Sequence, residues 1–192
     1  VRDFRLVSRW HVDAPVDVVW DVLADPAFTW PRWWPALAAE EVVASGGRTA
    51  DRWSRVRVRV RSPLGWSLRF GLVLKSSHEP VAGHAGRALL RASGDLVGTA
   101  AVVVAALPAP LPEDDDDGGA TEVTLTWAVG IGRDDVVGRV LSLLPRWALV
   151  RAHAAVMRSG ERGLRVWLER VSPTSAATSP PRPTSAGPPS GR

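Results

Sequence analysis

The chain has 192 residues, 45% of them apolar and 23% charged, with a formal net charge of +4. That balance is ordinary for a globular protein and excludes wholesale disorder, and the length suits one domain with an appendage. The absence of cysteine excludes disulfides, thiol chemistry and cysteine-ligated metals.

Val1 to Arg5 carry charge but no apolar signal core, which predicts a cytoplasmic protein. Asp3 to Val12 then alternates. Phe4, Leu6, Ser8, Trp10 and Val12 share one face, the pattern of a half-buried strand. Pro15 suits a first helical turn, because its missing N–H would be unpaired there anyway. Val16, Val19, Trp20 and Leu23 make an apolar stripe opposite Asp17, Asp21 and Asp25, and this helix ends at Asp25-Pro26. The tryptophan-dense piece Trp30 to Pro35 reads as a second small helix or turn. From Leu37 to Ile131 the pattern is β. Val56, Val58 and Val60 alternate with Arg55, Arg57, Arg59 and Arg61. The turn Ser62-Pro63-Leu64-Gly65 leads to Trp66, Leu68, Phe70, Leu72 and Leu74, giving a hairpin with one apolar and one basic face. Arg87 to Ala92, Val97 to Leu107 and Thr121 to Ile131 are further strands. The apolar run Leu96 to Leu107 falls short of the ~18 to 20 residues a membrane-spanning helix needs. A helix follows over Asp134 to Leu144, with a kink or restart at Pro145, and continues from Arg146 to Glu169.

Consecutive strands with short links make an antiparallel sheet, which buries one face only against a partner. The architecture predicted is α+β: a curved antiparallel sheet of about six or seven strands gripping a long C-terminal helix. Residues 1–170 form the domain. Residues 171–192 lack a large apolar side chain after Val171 and read as a disordered Pro/Ser-rich tail. Pro108 to Gly119, with its acidic run Glu113 to Asp117, reads as an exposed loop.

Several motifs run in order along the chain. Trp10-x-Val12-x-Ala14-Pro15-x-x-x-Val19-Trp20 comes first, followed by Trp30-Pro31-Arg32-Trp33-Trp34-Pro35 and Ser93-Gly94-Asp95-Leu96-x-Gly98-Thr99. Thr121-x-Val123-x-Leu125-x-Trp127 and His153-x-x-x-Met157-x-x-Gly160-x-x-Gly163-Leu164 complete the set. From about Phe4 to Leu168 this order resembles the START-like, or SRPBCC, helix-grip superfamily, in its polyketide cyclase/dehydrase-like branch. The resemblance implies a cavity for a small hydrophobic ligand between the sheet and the last helix. It implies either cyclase or dehydratase activity on aromatic polyketides without a cofactor, or non-catalytic carriage of lipids and other hydrophobic molecules. One fold hosts many functions, so the site must decide.

No nucleophile elbow or phosphate-binding glycine loop occurs, and the four histidines show no metal-ligand spacing, so neither metal nor cofactor is expected. His153, one turn before Met157, is the candidate catalytic residue, a general acid or base toward an enolisable carbonyl. Its alternative role is a structural hydrogen bond. Trp30, Trp33, Trp34, Trp66, Phe70, Trp147 and Met157 are candidate ligand contacts, whereas Trp20, Trp127 and Trp167 read as core. Arg91 would hold a ligand carbonyl or carboxylate, with Asp95 orienting it, if its strand face looks inward. If the face looks outward, it is a solvated ladder. The arginines at 55, 57, 59, 61 and 69 raise a further alternative, an interaction module. Valine rather than an aromatic residue alternates with them, which disfavours nucleic acid.

Overall fold

Residues 3–25, 27–43, 54–108, 119–132 and 143–171 are described by the computed structural model. They form β1 (Asp3–Val12), α1 (Val16–Leu23), α2 (Trp30–Trp33), β2 (Leu37–Val43), β3 (Arg55–Arg61), β4 (Ser67–His78), β5 (Gly86–Gly94), β6 (Leu96–Ala106), β7 (Thr121–Ile131) and α3 (Arg146–Val171). The acidic run, the tail after Val171 and most of the helix expected over Asp134 to Leu144 lie outside the described residues. At Pro145 the chain restarts as read from sequence: α3 begins one residue later, and the Ala148 N–H donates to the Pro145 carbonyl at 2.9 Å.

The strands make one seven-stranded antiparallel sheet in the order β1-β7-β6-β5-β4-β3-β2. From β2 onward each strand pairs with its successor in sequence, as short connections dictate. β1 is the exception. α1 and α2 carry the chain away from it to the opposite edge, and β7 returns beside it in register from Asp3↔Gly130 to Val12↔Thr121. The buried Thr121 hydroxyl donates to the Ala14 carbonyl at 2.6 Å, pinning the exit of β1 to the entry of β7. At the β5–β6 hairpin Gly98 has φ +146, and a Cβ there would collide with the Ala128 carbonyl, so glycine lets two backbones close.

Alternation along the strands sends Trp10, Val58, Leu72, Val104 and Val123 to one buried face, and α3 and α1 cover it. α3 presents Ala148, Ala152, Val156, Gly160, Leu164 and Leu168, a strict four-residue stripe. Its C-terminal half meets α2 closely. A Cβ on Gly160 would stand 2.5 Å from the Trp34 ring, and one on Gly163 would run into the Trp33 carbonyl oxygen. Trp34 stacks on Trp33 (ring centroids 5.7 Å apart) and meets Trp10 edge-on at 5.3 Å. Its indole N–H donates to the Val156 carbonyl at 3.0 Å, a buried bond between α2 and α3. The tryptophan cluster is therefore a solid plug between α2, β1 and the end of α3.

The other sheet face is exposed and charged. Arg57 pairs with Glu41 at 3.4 Å, and Arg59 and Arg69, opposite each other across β3 and β4, share Glu40 at 3.4 and 2.9 Å. The arginine ladder is thus partly neutralised by its own neighbours.

Candidate functional site

Under the N-terminal half of α3 the interior does not close. Ala148 and Ala152 continue the inward stripe with small side chains, but among the described residues no element advances to meet them as α2 meets Gly160. A cavity of about 140 Å³ remains. Its roof is α3, through Leu149, Ala152, His153, Val156 and Met157. Phe70, Leu68 and Leu72 of β4, Trp127 and Val129 of β7 and Phe4 and Leu6 of β1 form the floor and sides. Trp30 and Trp34 form one end, and Trp66 and Ser62 of the β3–β4 turn stand at the margin. Phe70 and Trp127 meet edge-on with centroids 6.1 Å apart, presenting flat aromatic surface to the hollow.

Among the described residues the wall carries one ionisable side chain, His153. Its Nε2 lies 3.2 Å from the Ser8 hydroxyl on β1, a bond whose direction follows the ring tautomer. Burial among apolar groups disfavours the imidazolium and lowers the His153 pKa from 6.5 to about 4. At neutral pH the ring is uncharged, able to donate through one nitrogen and accept through the other. Among the described residues no three His, Asp or Glu side chains stand close enough together to hold a metal ion.

Of the residues singled out from sequence, His153, Trp30, Trp34, Trp66, Phe70 and Met157 line this cavity. Three others lie elsewhere. Trp33 sits behind Trp34, buried, with its outer side toward a shallow groove bounded by Arg32, Arg162 and Trp167. The Trp34 ring stacked on it stands between Trp33 and the hollow. Trp147 is 67% exposed because the stripe of α3 passes through Ala148 and leaves residue 147 toward solvent. Arg91 lies on the exposed face of β5 beside Arg87 and Ser93, whereas Ala92 points inward. Asp95 does not orient it. Its carboxylate accepts the Arg69 backbone N–H at 2.7 Å and ties the β5–β6 turn to β4. Trp127, read as core, is a cavity wall. Ser8 was the missed polar residue, and its signal was present: a hydroxyl in the middle of an apolar strand face.

No protein-family model matches the chain, and no curated protein matches it in sequence. Solved structures do match in shape. The Zhui aromatase/cyclase from Streptomyces superposes with a TM-score of 0.57 at 18% identity, covering 88% of this chain and 95% of that one. A START superfamily protein from Mycobacterium smegmatis gives 0.55 at 13% identity over 88% and 99%. A Thermus thermophilus protein gives 0.55 at 17% over 85% and 99%. The chain has the START-like helix-grip fold. In this helix-grip sheet the hollow lies where the gripped helix carries alanines, and the solid part lies where it carries glycines under tryptophan. Among the described residues no helix is long and apolar enough to cross a membrane.

Proposed function

We propose that this helix-grip protein binds a small hydrophobic molecule, aromatic or polyketide-like, in the cavity between the sheet and α3. The observation that carries the reading is the hollow itself: about 140 Å³ walled by Trp30, Trp34, Phe70 and Trp127, with one uncharged histidine in its roof. An apolar cavity of about this size stays dry in other proteins and takes up benzene-sized guests. A flat ligand that buries ~200 Å² of apolar surface gains roughly 5 kcal/mol before the costs of ordering it. His153 gives such a ligand a polar contact, a hydrogen bond to a carbonyl or hydroxyl.

Carriage or sensing is the reading the chemistry favours. A base with a pKa near 4 abstracts protons weakly at neutral pH, and among the described residues no second ionisable group in the wall supports it. Cyclase or dehydratase activity is the second reading, supported by His153 in the roof and by the likeness in shape to the Zhui aromatase/cyclase. In that reaction His153 would take a proton from an enolisable carbon and return it to the departing oxygen.

Native mass spectrometry of the full chain, with titration by 2-naphthol followed through tryptophan emission, tests the first reading. A retained small molecule or saturable quenching, lost in Ala152→Leu, is expected. A bare mass together with no response to 2-naphthol overturns ligand binding. His153→Gln separates the two readings: unchanged affinity with lost turnover of a polyketide-type β-ketone identifies an enzyme, and no turnover by the unaltered chain identifies a carrier.

A further inference from the structure

We propose that the interior is two-chambered, and that a second cavity on the α1 side of Trp30 seats the unbranched apolar tail of a ligand whose ring lies in the first. The inference rests on the ligand-binding reading above. The second cavity measures about 100 Å³, and Trp30 and Leu72 belong to the walls of both. Trp30 is therefore the partition between them.

The two chambers differ in chemistry. The first sets more aromatic surface among its aliphatic side chains, with Trp34, Trp66, Phe70 and Trp127 besides Trp30, and this suits a ring. Beyond Trp20, Phe28 and Trp30, the second is lined by aliphatic side chains such as Leu23, Ala24, Leu74, Ala88, Leu90 and Val102, which suit a chain of methylenes. Asp25, Ser54, Arg55 and Ser77 contribute polar groups to it, none of them fully buried. Among the described residues, α1 closes one side of the second chamber with Trp20 and Leu23, and the inner faces of β4, β5 and β6 close the other.

The partition stands on a small and strained support. α2 is four residues long and its N-cap, Thr29, makes no side-chain capping bond. Phe28, immediately before it, has φ +52, a left-handed conformation that a bulky side chain adopts at a cost. Phe28 lies against Trp30 with ring centroids 4.8 Å apart, and one hydrogen bond, from the Trp30 indole to the Leu23 carbonyl at 3.0 Å, holds the ring in place. A rotation of Trp30 that breaks this bond and slides the ring off Trp34, on which it stacks at 6.1 Å, joins the chambers while the indole of Trp34 stays tied to α3.

Two probes of one head group and different tails test this on the full chain: 4-butylphenol and 4-nonylphenol, titrated against tryptophan emission and by calorimetry. The unaltered chain is expected to bind 4-nonylphenol at least tenfold more tightly, one molecule per chain. Ala88→Leu and, independently, Ala24→Leu place three added carbons in the second chamber alone. Either is expected to weaken 4-nonylphenol at least fivefold and to leave 4-butylphenol within twofold. Thermal melting identifies a variant that fails to fold, and the other then carries the test. Filled variants that bind both phenols like the parent, or lose both equally, overturn the tail seat. So does binding of two 4-butylphenol molecules, one of them lost on filling. Failure of the parent to bind either phenol overturns the ligand-binding reading itself, and this inference falls with it.

Discussion

The two halves of α3 use the same stripe of small and medium side chains and arrive at opposite results. At the C-terminal half, Gly160 and Gly163 draw α2 inward until Trp33 and Trp34 touch the helix backbone. At the N-terminal half, Ala148 and Ala152 stand over open space. A small residue on a helix creates a cavity or removes one according to whether the opposite surface can advance. Here α2, a single turn outside the sheet, can advance, whereas the floor under Ala152 is a sheet held by its ladder of hydrogen bonds and cannot.

The largest break in that comparison comes at the closed end. Gly163→Ala places a methyl group against the Trp33 carbonyl, a backbone atom that cannot step aside. Helix propensity alone would stabilise the change by about 1 kcal/mol. The clash dominates, and a loss of about 3 kcal/mol or more is expected in urea denaturation. A gain in stability would show that α2 does not sit where the plug requires it.

His153 sharpens the contrast from the open end, because only there does α3 carry an ionisable group inward. Above pH 6.5 neither the folded nor the unfolded chain holds its proton. Between 6.5 and about 4 the unfolded chain binds the proton and the folded one does not, so stability drops as the pH is lowered through this window and levels off below about 4. The shift corresponds to a loss of about 3 kcal/mol across that window. His153→Gln removes this part of the acid sensitivity while keeping a partner for Ser8. The check is the difference between the two denaturation-versus-pH curves. Parallel curves would mean that His153 is not desolvated.

Much of this molecule was legible in its sequence, and the limits were physical. β1 and β7 have the bounds that alternation assigned them, because a period of two with one buried face leaves little freedom of register. The glycines at 160 and 163 were visible as a motif, yet the spacing that marks a close approach is the spacing that also marks a hollow. Alanines at 148 and 152 carry no sign of what opposes them. The same ambiguity kept some aromatic residues unsorted. Trp33 and Trp34 are chemically identical neighbours whose stacking leaves only Trp34 against the hollow, and Trp127 lies on a buried strand face whether or not that face is covered. Arg91 was undecided for a related reason: β5 carries Leu89 and Leu90 in succession, so its alternation does not name the inner face.

At the open end, Ala152→Leu is the mirror of the glycine change. The same enlargement of an inward position should cost less than about 1 kcal/mol, since it fills space that no side chain occupies. Binding of 2-naphthol should disappear with it. A destabilisation as large as that of Gly163→Ala would mean that the floor already reaches the helix and that the hollow is closed in solution.

The smallest effect belongs to the outer face of the sheet, which shares its strands with the cavity and nothing of its energetics. Glu40 meets Arg69 at 2.9 Å and Arg59 at 3.4 Å. It is the one acid joining two arginines that face each other across β3 and β4, so removing its charge leaves a like-charge pair side by side. Water and salt screen both guanidinium groups, and Arg69 is largely exposed. Glu40→Gln should therefore lower stability by less than about 1 kcal/mol at low ionic strength, and 0.5 M sodium chloride should remove most of that difference. The same variant should bind 2-naphthol like the parent, because Val58 and Phe70 separate this face from the hollow on the other side of the sheet. A change in ligand affinity would mean that the outer charges bend the sheet enough to reshape its inner face.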